Sequence, residues 1–326
     1  MKRILSLIII LIMSVSLLCS CDILSEQAIL CKVNFYVDGE LYETKTVSMG
    51  QTVSEPKLPE KENQIFVAWG TDGLISYKFD FSQRILGNMD LHAYFTIDAI
   101  SLTNMITKDT IKSTVTIKNK SYNMGMGGFM EKESKVSQGS GVVIDISDGY
   151  CYVLTNCHVV DKEDGFENQT ISVVDPWGEV YEAKIYKSKQ KSDYAMSEEY
   201  DLALIYFKYS ASEDNSLKEI SMSPIDIKIG EYIVALGSPA GLQNAITYGQ
   251  VVEYQPIKAE SGSSMEKIAF DVIIHDAPID HGSSGGALIN TKGELIGINF
   301  AGYNNGKYGC AIPLSKVIEF MDLYVY

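Results

Sequence analysis

Three short stretches of the chain carry residue types that act together in nucleophilic catalysis. His158 lies in T-N-C-H-V-V, Asp201 opens D-L-A-L, and Ser284 lies in G-S-S-G-G. A serine hydroxyl becomes a nucleophile when a nearby imidazole accepts its proton, and a buried carboxylate orients that imidazole. The sequence therefore predicts a catalytic triad of His158, Asp201 and Ser284, which only folding can bring together.

The glycine-rich turn around Ser284 predicts where negative charge would be stabilised. Glycines let the backbone turn tightly and bring N–H donors close to the serine oxygen. We expect the N–H groups of Gly282 and Ser284 to form an oxyanion hole, with the N–H of Ser283 between them. The order histidine, aspartate, serine resembles that of the chymotrypsin-type proteases.

Other residues compete for two of these roles. His275 and His281 are rival general bases, although His281 shares a loop with the serine and is poorly placed to face it across a cleft. Asp193 is a rival to Asp201. We favour Asp201 because it opens an apolar strand.

The N-terminus has the pattern of a secretory signal. Lys2 and Arg3 precede an apolar run over residues 4–18, which is short for a membrane-spanning helix. The run ends in L-C-S-C, which resembles a bacterial lipobox and implies that residues 1–20 are removed and that Cys21 is diacylated. Two acyl chains anchor a protein stably. An uncleaved anchor helix is the alternative, and either way the body of the chain lies outside the cytoplasmic membrane.

The composition excludes several classes of protein. The 326 residues are 46% hydrophobic and 21% charged, which suits one or two ordered domains, and the net charge is −15. This acidity, together with the lack of Lys/Arg clusters, argues against a nucleic-acid partner. The cysteines lack the spacing of a metal site, and we expect no metal and no cofactor.

Four cysteines lie beyond the predicted lipid-bearing residue: Cys31, Cys151, Cys157 and Cys310. A location outside the cytoplasm permits disulfides. A Cys157–Cys310 bridge and a Cys151–Cys157 bridge both stay open, because sequence alone does not determine the pairing.

After a tether over residues 21–32, residues 33–97 predict a small β-sheet module. Short strands rich in aromatic and β-branched residues alternate with Asp-Gly and Pro turns. The order of V-N-F-Y-V-D-G, F-V-A-W and D-L-H-A-Y-F resembles the internalin B-repeat family of bacterial surface proteins. This resemblance implies a β-grasp-like fold without enzymatic residues, and a spacer or adhesive role.

Residues 100–326 predict a second, mostly β domain. Ser101 is the expected cap of a short helix that runs to Lys112, and residues 121–138 are expected to form a flexible stretch. Many short strands follow at similar spacing, which favours a β-barrel architecture over a βαβ fold. Residues 315–326 predict a final helix.

The motifs of this second domain resemble the HtrA/Deg branch of the trypsin-like serine proteases. The resemblance rests on G-S-G-V-V-I-D, Y-V-L-T-N-C-H-V-V, Y-D-L-A-L-I and H-D-A-P-I-D-H-G-S-S-G-G-A-L-I-N. It implies an all-β, chymotrypsin-like fold of two six-stranded barrels with the active site in the cleft between them. It also implies that His158 is the general base, Asp201 its orienting carboxylate and Ser284 the nucleophile. The family's usual PDZ domain is expected to be missing.

The same resemblance places the primary specificity pocket beside the serine turn. Its expected lining is Ile279, Asn299, Phe300 and Ala301. No acid stands six residues before Ser284, where the chain has Pro278. We therefore expect a preference for small or medium apolar side chains, although Asp276 and Asp280 leave a basic preference open.

Two classes of function follow from these patterns. The first is a membrane-anchored, extracytoplasmic serine endopeptidase that cleaves misfolded or specific proteins through an acyl-enzyme, with protein quality control as one use. The second is an adhesive or binding lipoprotein whose protease fold is catalytically silent. The intact triad favours the first. The expected partners are protein or peptide substrates and the membrane, and a homo-oligomer stays open.

Overall fold

The computed structural model describes most of the chain beyond the predicted signal. The described ranges are residues 28–71, 78–125, 130–188, 194–211, 215–238, 245–257, 268–303 and 306–326. The predicted signal, the predicted lipid-bearing Cys21 and the rival acid Asp193 lie outside them. Within the described ranges, no helix combines the length and the apolar character needed to cross a bilayer.

Contacts within the chain define two compact units. The first takes in the described residues up to Glu60 together with Phe66–Thr96, and the second takes in Lys61–Ile65 and Ile97–Tyr326. All the residues predicted to act in catalysis belong to the second unit.

The first unit is built on a four-stranded sheet. Its strands are β1 (Leu30–Val37), β2 (Glu40–Ser48), β3 (Gln64–Gly70) and β4 (Met89–Ile97). Their spatial order is β2-β1-β4-β3, and β1 runs antiparallel to β2 but parallel to β4. Every second residue of β1 from Cys31 to Phe35 is buried, and the rings of Phe35 and Trp69 meet edge to face at 5.0 Å. The predicted N-terminal β module is confirmed.

Six of the seven described strands between residues 114 and 208 form the first barrel of the second unit. The seven strands are β5 (Thr114–Met124), β6 (Glu131–Ser147), β7 (Tyr150–Thr155), β8 (Asn168–Val174), β9 (Val180–Ile185), β10 (Met196–Ser197) and β11 (Leu202–Lys208). The short β10 pairs only with β11 and lies outside the ring. Pairing follows the order β11-β7-β6-β5-β8-β9, and a direct β11–β9 pairing closes the ring. Alternate β-branched and apolar side chains fill its interior, among them Ile117, Val153 and Ile205.

The second barrel of the second unit is a closed ring of six strands. Its strands are β12 (Tyr232–Gly237), β13 (Ala245–Gln255), β14 (Val272–His275), β15 (Ala287–Asn290), β16 (Leu295–Tyr303) and β17 (Tyr308–Pro313). They pair in the ring order β12-β13-β14-β17-β16-β15. The predicted all-β fold with two six-stranded barrels is therefore confirmed.

Three α-helices accompany the barrels in the described part of the chain. They are α1 (Ala99–Lys108), α2 (Cys157–Val160) and α3 (Leu314–Tyr324). The prediction that Ser101 caps the first helix is wrong: the carboxylate of Asp98 accepts from the backbone N–H of Ser101 at 3.1 Å and from its hydroxyl at 2.8 Å. Asp98 is thus the N-cap, and Ser101 lies in the first turn.

The expected flexible stretch over residues 121–138 is mostly a long hairpin. β5 and β6 pair continuously from Thr114 opposite Val142 to Ser121 opposite Lys135 and beyond. The sequence hides this hairpin because the outer part of β6, Glu131–Lys135, is polar and exposed. Its backbone hydrogen bonds, rather than burial, hold it in place.

None of Cys31, Cys151, Cys157 and Cys310 forms a disulfide in the described part of the chain. All four are buried. Burial raises the pKa of both the Cys151 and the Cys310 thiol to about 12. These two thiols are therefore protonated, unreactive core groups at neutral pH.

Candidate active site

Two paired strands of the first barrel bring His158 and Asp201 together. His158 lies in α2, directly after β7, and Asp201 directly precedes β11. β7 and β11 are antiparallel neighbours with Thr155 opposite Ala203, so the end of one meets the start of the other. The His158 ring Nδ1 lies 2.8 Å from Oδ2 and 3.0 Å from Oδ1 of Asp201.

Two further hydrogen bonds hold Asp201 in place. The backbone N–H of His158 donates to its Oδ1 at 3.1 Å, and the Asn156 side-chain amide donates to its carbonyl at 2.8 Å. Asp201 is 2% exposed and has a backbone φ of 48°, a left-handed conformation that aspartate tolerates better than most residues. Sequence reasoning gave Asn156 no role, although the residue lies in the T-N-C-H-V-V motif.

This arrangement fixes the proton on the His158 ring. A carboxylate only accepts hydrogen bonds, so the nitrogen beside Asp201 carries the proton in the neutral ring. The other nitrogen, Nε2, then has a free lone pair. His158 is partly exposed, with 31% of its side-chain surface accessible, and this lone pair is available to take up a proton from a group in the cleft.

The loop between β14 and β15 presents Ser284. The N–H of Ser283 donates to the carbonyl of Asp280 at 2.9 Å, which closes a four-residue turn, and Gly282 has a φ of 99° at its third position. These features are those of a type II turn, where glycine is favoured. A Cβ on Gly285 would lie 2.3 Å from the Thr155 hydroxyl oxygen, so this position also requires glycine.

Two backbone donors beside Ser284 are available. The N–H groups of Gly282 and Ser284 donate to no acceptor within the part of the chain that the structure describes. The N–H of Ser283 differs, because it is engaged by the Asp280 carbonyl. Of the three residues predicted to form the oxyanion hole, Ser283 is therefore not an available donor, whereas Gly282 and Ser284 are.

The Ser284 hydroxyl donates to the backbone carbonyl of Phe300 at 3.1 Å. No hydrogen bond joins it to the His158 ring in this structure, as far as the described residues go. Both side chains nevertheless line one cleft of about 480 Å³.

The same cleft has an apolar wall formed by Ile279, Phe300 and Ala301. Asn299, also predicted to line the pocket, does not: it is fully buried, and its side-chain amide donates to the Ala287 carbonyl at 3.0 Å. The cause is a β-bulge in β16 between Asn299 and Ala301. The extra residue breaks the two-residue alternation that would have placed both side chains on one face.

The two acids near the pocket have other partners. One carboxylate oxygen of Asp276 accepts from the backbone N–H of Gln250 at 2.6 Å. One carboxylate oxygen of Asp280 accepts from the backbone N–H of His281 at 2.7 Å. Asp280 lines the cleft, whereas Asp276 does not.

The rival histidines lie in different surroundings. His275 is fully buried, its Nε2 lies 3.2 Å from the Asn299 side-chain oxygen, and burial lowers its pKa to about 4. It faces the core and is not a base for the cleft. His281 does line the cleft, but among the described histidines only His158 pairs with a carboxylate.

No group of three or more His, Cys, Asp or Glu side chains in the described ranges is arranged to hold a metal ion. The groups in the cleft that can carry out chemistry are a hydroxyl, an imidazole paired with a carboxylate, and free backbone N–H donors. This set suits acyl transfer through a serine nucleophile.

Comparison with known families gives two matches. Residues 139–298 match the trypsin-like peptidase domain. Separately, residues 32–94 match the Listeria-Bacteroides repeat domain. The peptidase match includes His158, Asp201 and Ser284 and ends just before Phe300 and Ala301.

Curated relatives of the second unit are HtrA and Deg proteases. The periplasmic serine endoprotease DegP of Salmonella typhimurium is 36% identical over 201 residues, which cover 60% of this chain and 37% of that protein. The mitochondrial serine protease HTRA2 of Bos taurus is 33% identical over 198 residues, which cover 61% of this chain and 38% of that protein. The chain thus spans less than two fifths of the length of these relatives.

A solved structure shares the fold. The crystal structure of a protease from M. tuberculosis in its active form superposes with a TM-score of 0.51 at 21% identity, covering 69% of this chain and 86% of the other. The chymotrypsin-like fold predicted for the second unit is confirmed. Together with the relatives, the trypsin-like match supports the prediction of a serine endopeptidase.

Proposed function

We propose that the chain is a serine endopeptidase in which His158 is the general base, Asp201 its orienting carboxylate and Ser284 the nucleophile. The observation that carries the proposal is the short contact of the His158 ring with the buried Asp201 carboxylate, at the same cleft as Ser284. The curated relatives named as a serine endoprotease and as a serine protease support it.

The proposed reaction begins when the Ser284 hydroxyl leaves the Phe300 carbonyl and turns to Nε2 of His158. Its oxygen attacks the carbonyl carbon of a peptide bond while its proton passes to Nε2. The Asp201 carboxylate stabilises the imidazolium that results. The negative oxygen of the tetrahedral intermediate is stabilised by the N–H groups of Gly282 and Ser284, and such a donor is worth about 3 kcal/mol.

The intermediate then collapses as the C–N bond of the peptide breaks. The imidazolium gives its proton to the leaving amine, and an ester between the substrate acyl group and Ser284 remains. Water, deprotonated by His158, hydrolyses this ester and restores the serine hydroxyl. Every atom is accounted for by substrate and water, and no cofactor is required.

We propose that the residue before the cleaved bond is small or medium and apolar. The wall of Ile279, Phe300 and Ala301 favours such a side chain by burial. One oxygen of the Asp280 carboxylate at the cleft already accepts the His281 N–H, so part of its hydrogen-bonding capacity is not open to a basic side chain.

The test of the activity is hydrolysis of casein by the full chain in detergent. Ser284→Ala is expected to lower the rate by about a millionfold, because the nucleophile is lost. Ser223→Ala is the matched control, since it also removes a hydroxyl that bonds a backbone carbonyl. Mapping the cleavage sites by mass spectrometry tests the apolar preference. A wild type as inactive as Ser284→Ala would contradict the proposal and favour a silent binding module.

We further propose that the protein is a lipoprotein that acts on misfolded or specific proteins at the outer side of the cytoplasmic membrane. The L-C-S-C sequence after an apolar run supports the lipid anchor at Cys21, and the relative named as periplasmic supports an extracytoplasmic location. Cys21→Ala is expected to leave unprocessed precursor or to release the protein to the medium. Unchanged mass and unchanged membrane retention on fractionation would contradict the anchor.

A further inference from the structure

Ser140 lies at the seam between the two barrels and has no part in the chemistry described above. It belongs to β6 of the first barrel and is only 1% exposed. Its backbone N–H donates to the Ser284 carbonyl at 2.7 Å, and its hydroxyl donates to the Gly282 carbonyl at 2.7 Å. One residue of the first barrel therefore bonds the nucleophile turn of the second barrel on both sides of Ser283.

The direction of the Ser140 hydroxyl is fixed by a third partner. The backbone N–H of Ser238, just after β12, donates to the Ser140 oxygen at 2.9 Å. Because an N–H group can only donate, the hydroxyl hydrogen must go to the Gly282 carbonyl. The hydroxyl thus has a single satisfied arrangement, and that arrangement holds the turn.

Along the turn, peptide groups whose carbonyls are bonded by Ser140 alternate with peptide groups whose N–H groups are free. The peptide group between Gly282 and Ser283 is held at its carbonyl by the Ser140 hydroxyl and at its N–H by Asp280. The peptide group after Ser284 is held at its carbonyl by the Ser140 N–H. The N–H groups of Gly282 and Ser284 are free. They belong to the two peptide groups that flank the Gly282–Ser283 peptide group.

Close packing of the backbones keeps these bonds short. A Cβ on Gly285 would lie 2.1 Å from the Ser140 carbonyl oxygen, and one on Gly237 would lie 3.2 Å from the Ser140 hydroxyl oxygen. Thr155 also donates to the Ser140 carbonyl at 2.7 Å. A smaller side chain at position 140 fits without a clash, but it offers no replacement donor for the Gly282 carbonyl.

We propose that Ser140 is a positioning residue that holds the Gly282–Ser283 peptide in the orientation that keeps the oxyanion donors directed at the cleft. The inference rests on the proposed peptidase function. Without the hydroxyl, the part-buried Gly282 carbonyl and the buried Ser238 N–H both lose this partner. The turn then relaxes toward other conformations, and Gly282 loses the left-handed φ of 99° observed here.

The kinetic test compares Ser140→Ala with Ser223→Ala in the full chain. The Ser140 variant is expected to lose about tenfold to a hundredfold in kcat, as small misplacements of catalytic groups do, while KM changes by less than about twofold. The Ser223 variant is expected to keep both values. A rise in KM with unchanged kcat, or equal losses in both variants, would overturn a positioning role.

A crystal structure of Ser140→Ala tests the inference without any activity measurement. The expected result is a rotated Gly282 carbonyl and a changed Gly282 φ, with β6 and β12 in place. An unchanged turn would overturn the inference even if the enzyme is active. A rotated turn in a protein whose wild type shows no hydrolysis would show that Ser140 holds the turn, but it would contradict the proposed peptidase function and with it the positioning of oxyanion donors.

Discussion

The two halves of the proposed active site differ in how their hydrogen bonds are arranged. The base half lies within the first barrel, where the Asp201 carboxylate is bonded by both the ring and the backbone of His158. The nucleophile half lies within the second barrel, where the Ser284 hydroxyl is bonded to the Phe300 carbonyl. Each of the two reacting side chains is therefore hydrogen-bonded within its own barrel, whereas the backbone of the serine turn is also bonded by Ser140 of the first barrel.

This difference shows which bond the proposed reaction must form. Orientation of the imidazole comes from two adjacent strands and is complete before substrate arrives. The bond from Ser284 to His158 crosses between barrels, and catalytic bonds of this kind are often long or misaligned without substrate. The backbone N–H groups of Gly282 and Ser284 are already unengaged.

The largest expected loss of kcat comes from substitutions that remove the base half of the site. His158→Ala is expected to lower kcat by about a millionfold, because serine and histidine act as one unit, and Asp201→Asn by about ten thousandfold, because the ring is then held in the wrong tautomer. Steady-state hydrolysis of a peptide substrate measures both. His281→Ala is the control, and a loss there as large as at His158 would reverse the assignment of the base.

A smaller expected effect, on folding stability as a function of pH, distinguishes the buried His275 from the proposed base His158 at the cleft. The pKa of His275 is lowered to about 4 in the folded protein from an ordinary value of 6.5, with burial as the main cause. Above pH 6.5 the ring is neutral in both states and its full stabilisation is present. As the pH falls toward 4, the unfolded chain binds a proton that the folded chain does not, so stability is lost.

The expected loss of unfolding free energy through His275 is about 3 kcal/mol between pH 7 and pH 4. Urea unfolding at a series of pH values measures it. His275→Gln is expected to show a shallower dependence on pH than the wild type, while the cleft variant His281→Gln keeps the wild-type slope. Equal slopes for wild type and His275→Gln would contradict a buried neutral ring.

The sequence predicted the architecture where local pattern determines it. Alternating apolar residues such as those of β7 and β11 predict strands, and the barrels follow from many such strands in succession. The assignment of His158, Asp201 and Ser284 to one cleft depended on motif resemblance rather than on spacing. These residues are far apart in sequence, and only the β7–β11 pairing and the barrel seam bring them near each other.

Other features of the site depend on tertiary contacts that local pattern does not record. The bulge after Asn299 turns its side chain into the core and away from the predicted pocket. The N–H of Ser283 is engaged because the loop forms a type II turn. Glycine at position 282 permits this turn type but does not determine it. Ser140 stood within a recognised motif, yet its contacts exist only because β6 packs against the serine turn.

Labelling by a fluorophosphonate probe tests the central claim most directly, because only an activated serine attacks the phosphorus. The wild type is expected to bind one probe molecule on Ser284, located by peptide mass spectrometry. Labelling should be lost in Ser284→Ala and in His158→Ala but kept in Ser223→Ala. Modification of Ser283 instead, or a wild type that remains unlabelled in the presence of casein, would contradict the proposed triad.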